Sequence, residues 1–204
     1  MYKLLFMILA IFIVHTTFGQ VCTHVGLSKK YNFKVSLNRP TPGAENEIIT
    51  VVLSVVDKVR KKQIQNIVIK PTYLFSDVFV NCNSVRSYTT GLNKNMESID
   101  NDFGDLIVAD FNFDSKEDFA LKKDSGGNGG PVYNFYIQNA DGSFTLDNFL
   151  SEQMEFFPTR INKSNRTLIT LVHANAYELA EHTYKKNVNG NKWKEIKHRF
   201  ITVH

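Results

Sequence analysis

"DLIVADFNFDSKEDFALKK", residues 105–123, sets two apolar runs on either side of an acidic stretch, "DFNFDSKED", residues 110–118. Both flanks read as strands rather than helices: they are short, rich in Val, Ile and Phe, and bounded by turn-forming residues. Between them, three aspartates and one asparagine fall at every second or fourth position. Like charges crowded this way oppose a compact state unless a cation neutralises them. The stretch thus predicts a pair of strands joined by an ion-binding loop, and the same strand grammar extends outward from it.

Upstream, "NFKVSLN" alternates, with Phe33, Val35 and Leu37 on one face and Lys34, Ser36 and Asn38 on the other. "RPTPG" breaks the chain. "EIITVVLSVV", Glu47 to Val56, is β-branched and apolar on both faces, as in a central strand. Across "DKVRKK" it forms a hairpin with "QIQNIVIK". "YLFSDVFVN" reads as a further strand ending beside Cys82, and residues 83–102 as a polar, irregular surface connection. Downstream, "VYNFYIQ" and "SFTL" surround the turn "NADGS", and residues 147–156 read as one short helix. "RTLITLVH", "AYELAEHTYKK" and "KWKEIKHRFITV" follow, the last two joined by "NVNGN", where Asn189 and Gly190 tolerate positive φ. Roughly ten strands with almost no helix make an all-β chain, its antiparallel sheets arranged as an incomplete or small β-propeller.

Lys3 followed by the apolar run Leu4 to Val14 and then "HTTFGQ" reads as a secretory signal peptide over residues 1–19. The run is too short to cross a bilayer as a helix. Val21 before Cys22 is too bulky for a lipoprotein signal, so no stable membrane anchor is expected. Residues 20–204 then form a single domain, periplasmic or secreted. The chain carries 24 basic and 20 acidic side chains, +4 in all; loss of Lys3 leaves +3. That balance is too weak and too evenly spread for nucleic acid. In an oxidising compartment the even pair Cys22 and Cys82 is expected to form a disulfide.

Counted from Asp110, side-chain oxygens stand at loop positions 1, 3, 5 and 9: Asp110, Asn112, Asp114 and Asp118. Lys116 at position 7 offers its backbone carbonyl. Ca2+ takes six to eight oxygens from a curled loop, and odd spacing delivers them; Mg2+ demands stricter geometry. An EF-hand is excluded, because Leu121 stands where that loop needs a bidentate glutamate and the flanks are not helical. Ser115 also occupies the usual glycine position.

Behind the acidic loop comes "DSGGNGGPVY", residues 124–133, whose glycines let the backbone approach a partner closely. A phosphate site is not expected, since no Gly-Lys-Ser/Thr ending or helix follows and the surroundings are acidic. "DFNFDSKEDFAL" followed by "SGGNGGPVYNFYIQNADGSF" resembles the calcium loop and hairpin of FG-GAP/VCBS-type β-propeller repeats. More narrowly it is similar to bacterial periplasmic lysozyme inhibitors and the related effector-immunity proteins. The likeness covers residues 105–145, with a similar run of strands over 163–196. It implies a bound Ca2+, a lysozyme-like peptidoglycan hydrolase as protein partner, and an inhibitory loop of Ser125, Gly126, Gly127 and Tyr133 entering the enzyme's cleft. An extracytoplasmic binding module for glycan or a cell-surface protein is the alternative.

An enzyme is not expected. A glycosidase needs two carboxylates suitably spaced in a cleft, and the acidic residues here cluster where calcium would claim them. No Gly-x-Ser-x-Gly elbow is present. His173 and His182 flank "ANAYELAE" at a spacing that matches no His-Glu-x-x-His zinc site, and they read as surface strand histidines. Trp193, Tyr184 and Phe200 are the right residues for a sugar platform, although aromatics in a β core are commoner.

Overall fold

The computed structural model describes residues 19–40, 48–187 and 192–203. The expected signal peptide up to residue 18, most of the "RPTPG" break and the Asn189–Gly190 turn lie outside the described residues. The chain is all-β, and its described residues form three sheets of four or five strands, the first and third antiparallel meanders and the middle one mixed. The first holds β1 (Gln20–His24), β2 (Tyr31–Asn38), β3 (Thr50–Asp57) and β4 (Gln63–Ile69), in that order. The second holds β5 (Val85–Ser87), β6 (Leu106–Ala109), β7 (Asp118–Gly127), β8 (Gly130–Gln138) and β9 (Phe144–Leu146). The third holds β10 (Arg160–Asn162), β11 (Thr167–His173), β12 (Glu178–Lys186) and β13 (Trp193–Thr202). None of the three closes into a barrel among the described residues.

Side-chain alternation explains the layering. The period-2 pattern of β2 buries Tyr31, Phe33, Val35 and Leu37, and β3 buries Val51, Leu53 and Val55 beside them. These side chains pack on one face of the middle sheet, against Leu106, Val108, Phe119, Leu121 and Tyr136. The alternate residues of that sheet, Ile107, Ala109, Ala120, Tyr133 and Phe135, point the other way and pack with Leu168 and Tyr184 of the third sheet. The middle sheet is therefore covered on both faces, which is why β6 is apolar without interruption.

Two expectations need correction. "YLFSDVFVN" is not a strand: Leu74, Val78 and Phe79 are buried while Phe75 and Val80 are exposed. That spacing is helical, and the segment coils through turns in which the Val80 and Asn81 amides donate to the Asp77 carbonyl. The connection 83–102 is not wholly irregular either. Val85–Ser87 pairs in parallel with β6 and is buried, too short a run to show a period. The expected helix is one wide turn, Leu150–Met154, closed by the Glu155 amide donating to the Leu150 carbonyl.

Cys22 and Cys82 are bridged, with Cα atoms 5.3 Å apart. Such a bridge belongs to a chain exported to an oxidising compartment. No helix among the described residues is long and apolar enough to cross a membrane. The bridge closes a loop over a sequence separation of 60. Replacing both cysteines by serine should cost about 4 kcal/mol in denaturant unfolding.

Candidate functional site

The acidic loop joins β6 to β7 at the meeting point of the three sheets. Positive φ at Phe113 (62°) and Ser115 (66°) curls it so that its side-chain oxygens face its own amides. Asp110 Oδ1 and Asn112 Oδ1 both accept from the Asp114 amide, at 3.0 and 2.9 Å. Asp110 Oδ2 accepts from Ser115 N, and Asp114 Oδ1 from Lys116 N. Asp118 is fully buried: Oδ2 accepts from Phe111 N and Asn112 N, and Oδ1 from Gln138 N across the sheet. Burial, reinforced by the charges of Asp114 and Asp110, pushes its carboxyl up to about 7.

Neighbouring sheets grip the same loop. Glu117 accepts from Ser28 Oγ and the Lys29 amide of the first sheet's turn, at 2.6 and 2.8 Å. Arg166 of the third sheet donates to the Phe113 carbonyl, and Lys163 lies 3.7 Å from Asp110. The donor set, three carboxylates with an amide oxygen, suits a hard cation such as Ca2+. The carboxylates are still spread over the loop amides. Among the described residues they do not form a group whose ligand atoms all lie within 4.8 Å. Closure on an ion would draw them together.

The glycine stretch forms the tip of the β7–β8 hairpin. Gly126 (φ 64°) and Gly130 (φ 93°) are required there, because a Cβ on Gly126 would run into the Gly130 carbonyl, and one on Gly130 into that of Asp100. Asn101 clips the tip to the third sheet, its Nδ2 donating to the Gly129 and Leu171 carbonyls. Beside the tip opens a cleft of about 730 Å³ lined by Phe75, Ile99, Asp100, Gly127, Asn128 and His173 among others. Its floor is ionic. Lys122, fully buried, lies 2.7 Å from Asp102 and 2.8 Å from Asp105. Burial raises the Asp105 pKa, and Lys122 opposes the rise.

The expected inhibitory loop is only partly placed at the surface. Gly127 is exposed and Gly126 half-buried, but Tyr133 has no solvent contact. Its hydroxyl donates to the Gly104 carbonyl at 3.1 Å and accepts from Phe103 N at 3.4 Å. Burial, and next the charge of Asp102, raises its pKa well above the ordinary tyrosine value. Tyr133 cannot enter another protein's cleft, because period 2 along β8 turns it into the core with Phe135 and Phe157. Ser125 is also buried. Its Oγ accepts from Phe75 N at 2.8 Å, its amide donates to the Tyr73 carbonyl, and Asp124 accepts from Tyr73 N.

Ser125 thus presents other groups. Tyr73 and Phe75, 52% and 51% exposed, meet edge to face at 5.4 Å on the hairpin's flank. Sequence reasoning missed them because the segment looked like a strand; Pro71 just before it was the available signal. Of the aromatics considered for a sugar platform, Tyr184 is core and Phe200 is exposed.

No family model and no curated protein matches the chain. Among solved structures it is similar to a Xanthomonas protein described as related to a type IV secretion system, with a TM-score of 0.57 and 18% identity over 88% of this chain and 81% of that one. That likeness concerns the fold.

Two predictions concern stability. Tyr133→Phe should cost about 1 kcal/mol, whereas Tyr133→Ala should cost about 3–5 kcal/mol and open the core; urea unfolding distinguishes them. The raised pKa of Asp118 means that, without a metal, its contribution is complete below the unfolded value of 3.8 and is lost as the pH rises to about 7. Unfolding in chelator should show that loss in the wild type and not in Asp118→Asn, which should itself be destabilised by about 2–3 kcal/mol.

Proposed function

We propose that this chain is an exported inhibitor of a lysozyme-like peptidoglycan hydrolase, a lysozyme inhibitor or an immunity protein, held in shape by Ca2+ and without catalytic activity of its own. The observation that carries the reading is the clipped Gly127–Asn128 tip, which lines a cleft together with Phe75, whose exposed ring meets the exposed ring of Tyr73. A lysozyme cleft holds two carboxylates, one of them protonated as general acid. Amides at a glycine tip can donate to the ionised one, and aromatic side chains can cover the rest of the substrate groove. A tip fixed by Asn101 and by the Ser125 contacts loses little entropy on docking. In the cleft lining Asp102 is held by Lys122, which argues against a proton-shuttling role and for binding. The type IV secretion description of the Xanthomonas neighbour suits a setting at the bacterial envelope.

Asp110, Asn112, Asp114 and Asp118, with the Lys116 carbonyl, would hold the Ca2+. When bound, the ion neutralises the loop carboxylates and stiffens the turn that starts β7. The loop residues themselves set the position of the strand that ends in the hairpin tip.

The test is a cell-wall turbidity assay with a lysozyme-type hydrolase. Wild-type protein should inhibit, and Tyr73→Ala with Phe75→Ala should weaken inhibition by about 10–100-fold at an unchanged melting temperature. Unchanged inhibition by the double variant moves the contact surface away from the hairpin. Absence of inhibition by the wild type, together with retention on insoluble peptidoglycan, would favour a glycan-binding module, for which an exposed aromatic pair is equally suited.

A further inference from the structure

β12 and β13 carry a second constellation, remote in sequence from the acidic loop. His182 and His198 are direct cross-strand partners, and their rings stack with centroids 4.3 Å apart. Glu195 stands three residues before His198. In a regular strand an odd spacing puts two side chains on opposite faces. Here the register shifts at Thr183/Tyr184, so that Lys197 pairs with Thr183 but Glu195 pairs with Tyr184. Ile196 is the extra residue of a β-bulge, and the bulge turns Glu195 to the face that carries His182 and His198. Glu195 Oε1 lies 2.7 Å from His182 Nδ1.

One ligating atom from each of the three residues lies within 4.8 Å of the others. Among the described residues this is the one group of three or more His, Cys, Asp or Glu side chains that meets this distance. An ion pair accounts for His182 and Glu195, and cross-strand stacking on His182 brings His198 to the same place. Glu181, the other nearby carboxylate, belongs to the opposite face and is engaged by Arg160 and Arg199, each at 2.7 Å. The site opens to solvent, since β13 is the edge strand of its sheet and both Glu195 and His198 are exposed. His182 is half-buried and stacked on Tyr184, so one ligand is held while the other two can adjust.

We propose that His182, Glu195 and His198 form a binding site for a borderline divalent transition metal such as Zn2+, distinct from the oxygen-only loop. Two imidazoles and one carboxylate suit Zn2+, Co2+ or Ni2+, and exclude Ca2+ as the preferred occupant. The ion takes the place of the proton shared by His182 Nδ1 and Glu195 Oε1. His198 closes on it by a side-chain rotation that its exposure permits, and water completes the shell. Bound metal ties β13 to β12 at the bulge, where the ladder is weakest.

Calorimetric titration of the full chain with Zn2+, in excess Ca2+ so that the acidic loop does not compete, should give one site per chain. Co2+ should give visible d–d bands in the same protein. Glu195→Gln and His198→Ala, both at exposed positions, should retain the circular dichroism of the wild type and each lose the Zn2+ heat and the Co2+ bands. Binding that survives in both variants, or a wild type that takes up neither ion, overturns the proposal. Because these readouts require no hydrolase, their outcome is independent of the inhibitor reading.

Discussion

The Asp118 carboxylate is the constraint on which the rest of the molecule turns. It has no solvent contact, yet it receives two amides from the acidic loop and one from β8. It therefore sets where β7 begins, how the loop curls and how β7 registers against β8. Glu117 beside it holds the first sheet's turn, and Arg166 holds the loop from the third sheet. A few residues thus join all three layers. The cost is electrostatic, since desolvation and two neighbouring aspartates disfavour the ionised form. A cation would offset that cost, and this ties the proposed Ca2+ to architecture more than to chemistry.

The same economy governs the hairpin. Buried Lys122, Asp105 and the Tyr133 hydroxyl form a polar network with half-exposed Asp102 of the cleft lining. Such networks contribute little net stability, but breaking one member leaves an uncompensated charge, so they hold a geometry firmly. The buried side chains fix the hairpin, the glycines let its tip pass close to residues 100 and 101, and the aromatics Tyr73 and Phe75 are left exposed. In the proposed inhibitor, positioning and contact fall to different residues.

Much of the fold was legible in the sequence. The alternation of β2, the β3–β4 hairpin and the strands flanking the acidic loop follow from period-2 burial, which the side chains state directly. The disulfide followed from the pairing of two cysteines. What was not legible depended on context. "YLFSDVFVN" has strand composition but buries Leu74, Val78 and Phe79 at helical spacing. Val85–Ser87 is too short to announce itself. At the site, "SGGNGGPVY" identified the right hairpin, yet composition could not say that Tyr133 faces inward while Tyr73 and Phe75, fifty residues upstream, face out. The His182–Glu195–His198 group was hidden for a different reason: a bulge changes which residues share a face, and nothing in the spacing of Glu195 and His198 reveals it.

The Cys22–Cys82 bridge has a mechanical consequence. It ties the outermost strand of the first sheet to the segment that leads into the middle one, and β2, β3 and β4 lie inside the covalent loop. Tension applied at residue 20 therefore passes through the sulfurs to residue 82 and bypasses the first sheet. That sheet cannot be unzipped from its N-terminal side while the bridge is intact, and the load falls on the central layer.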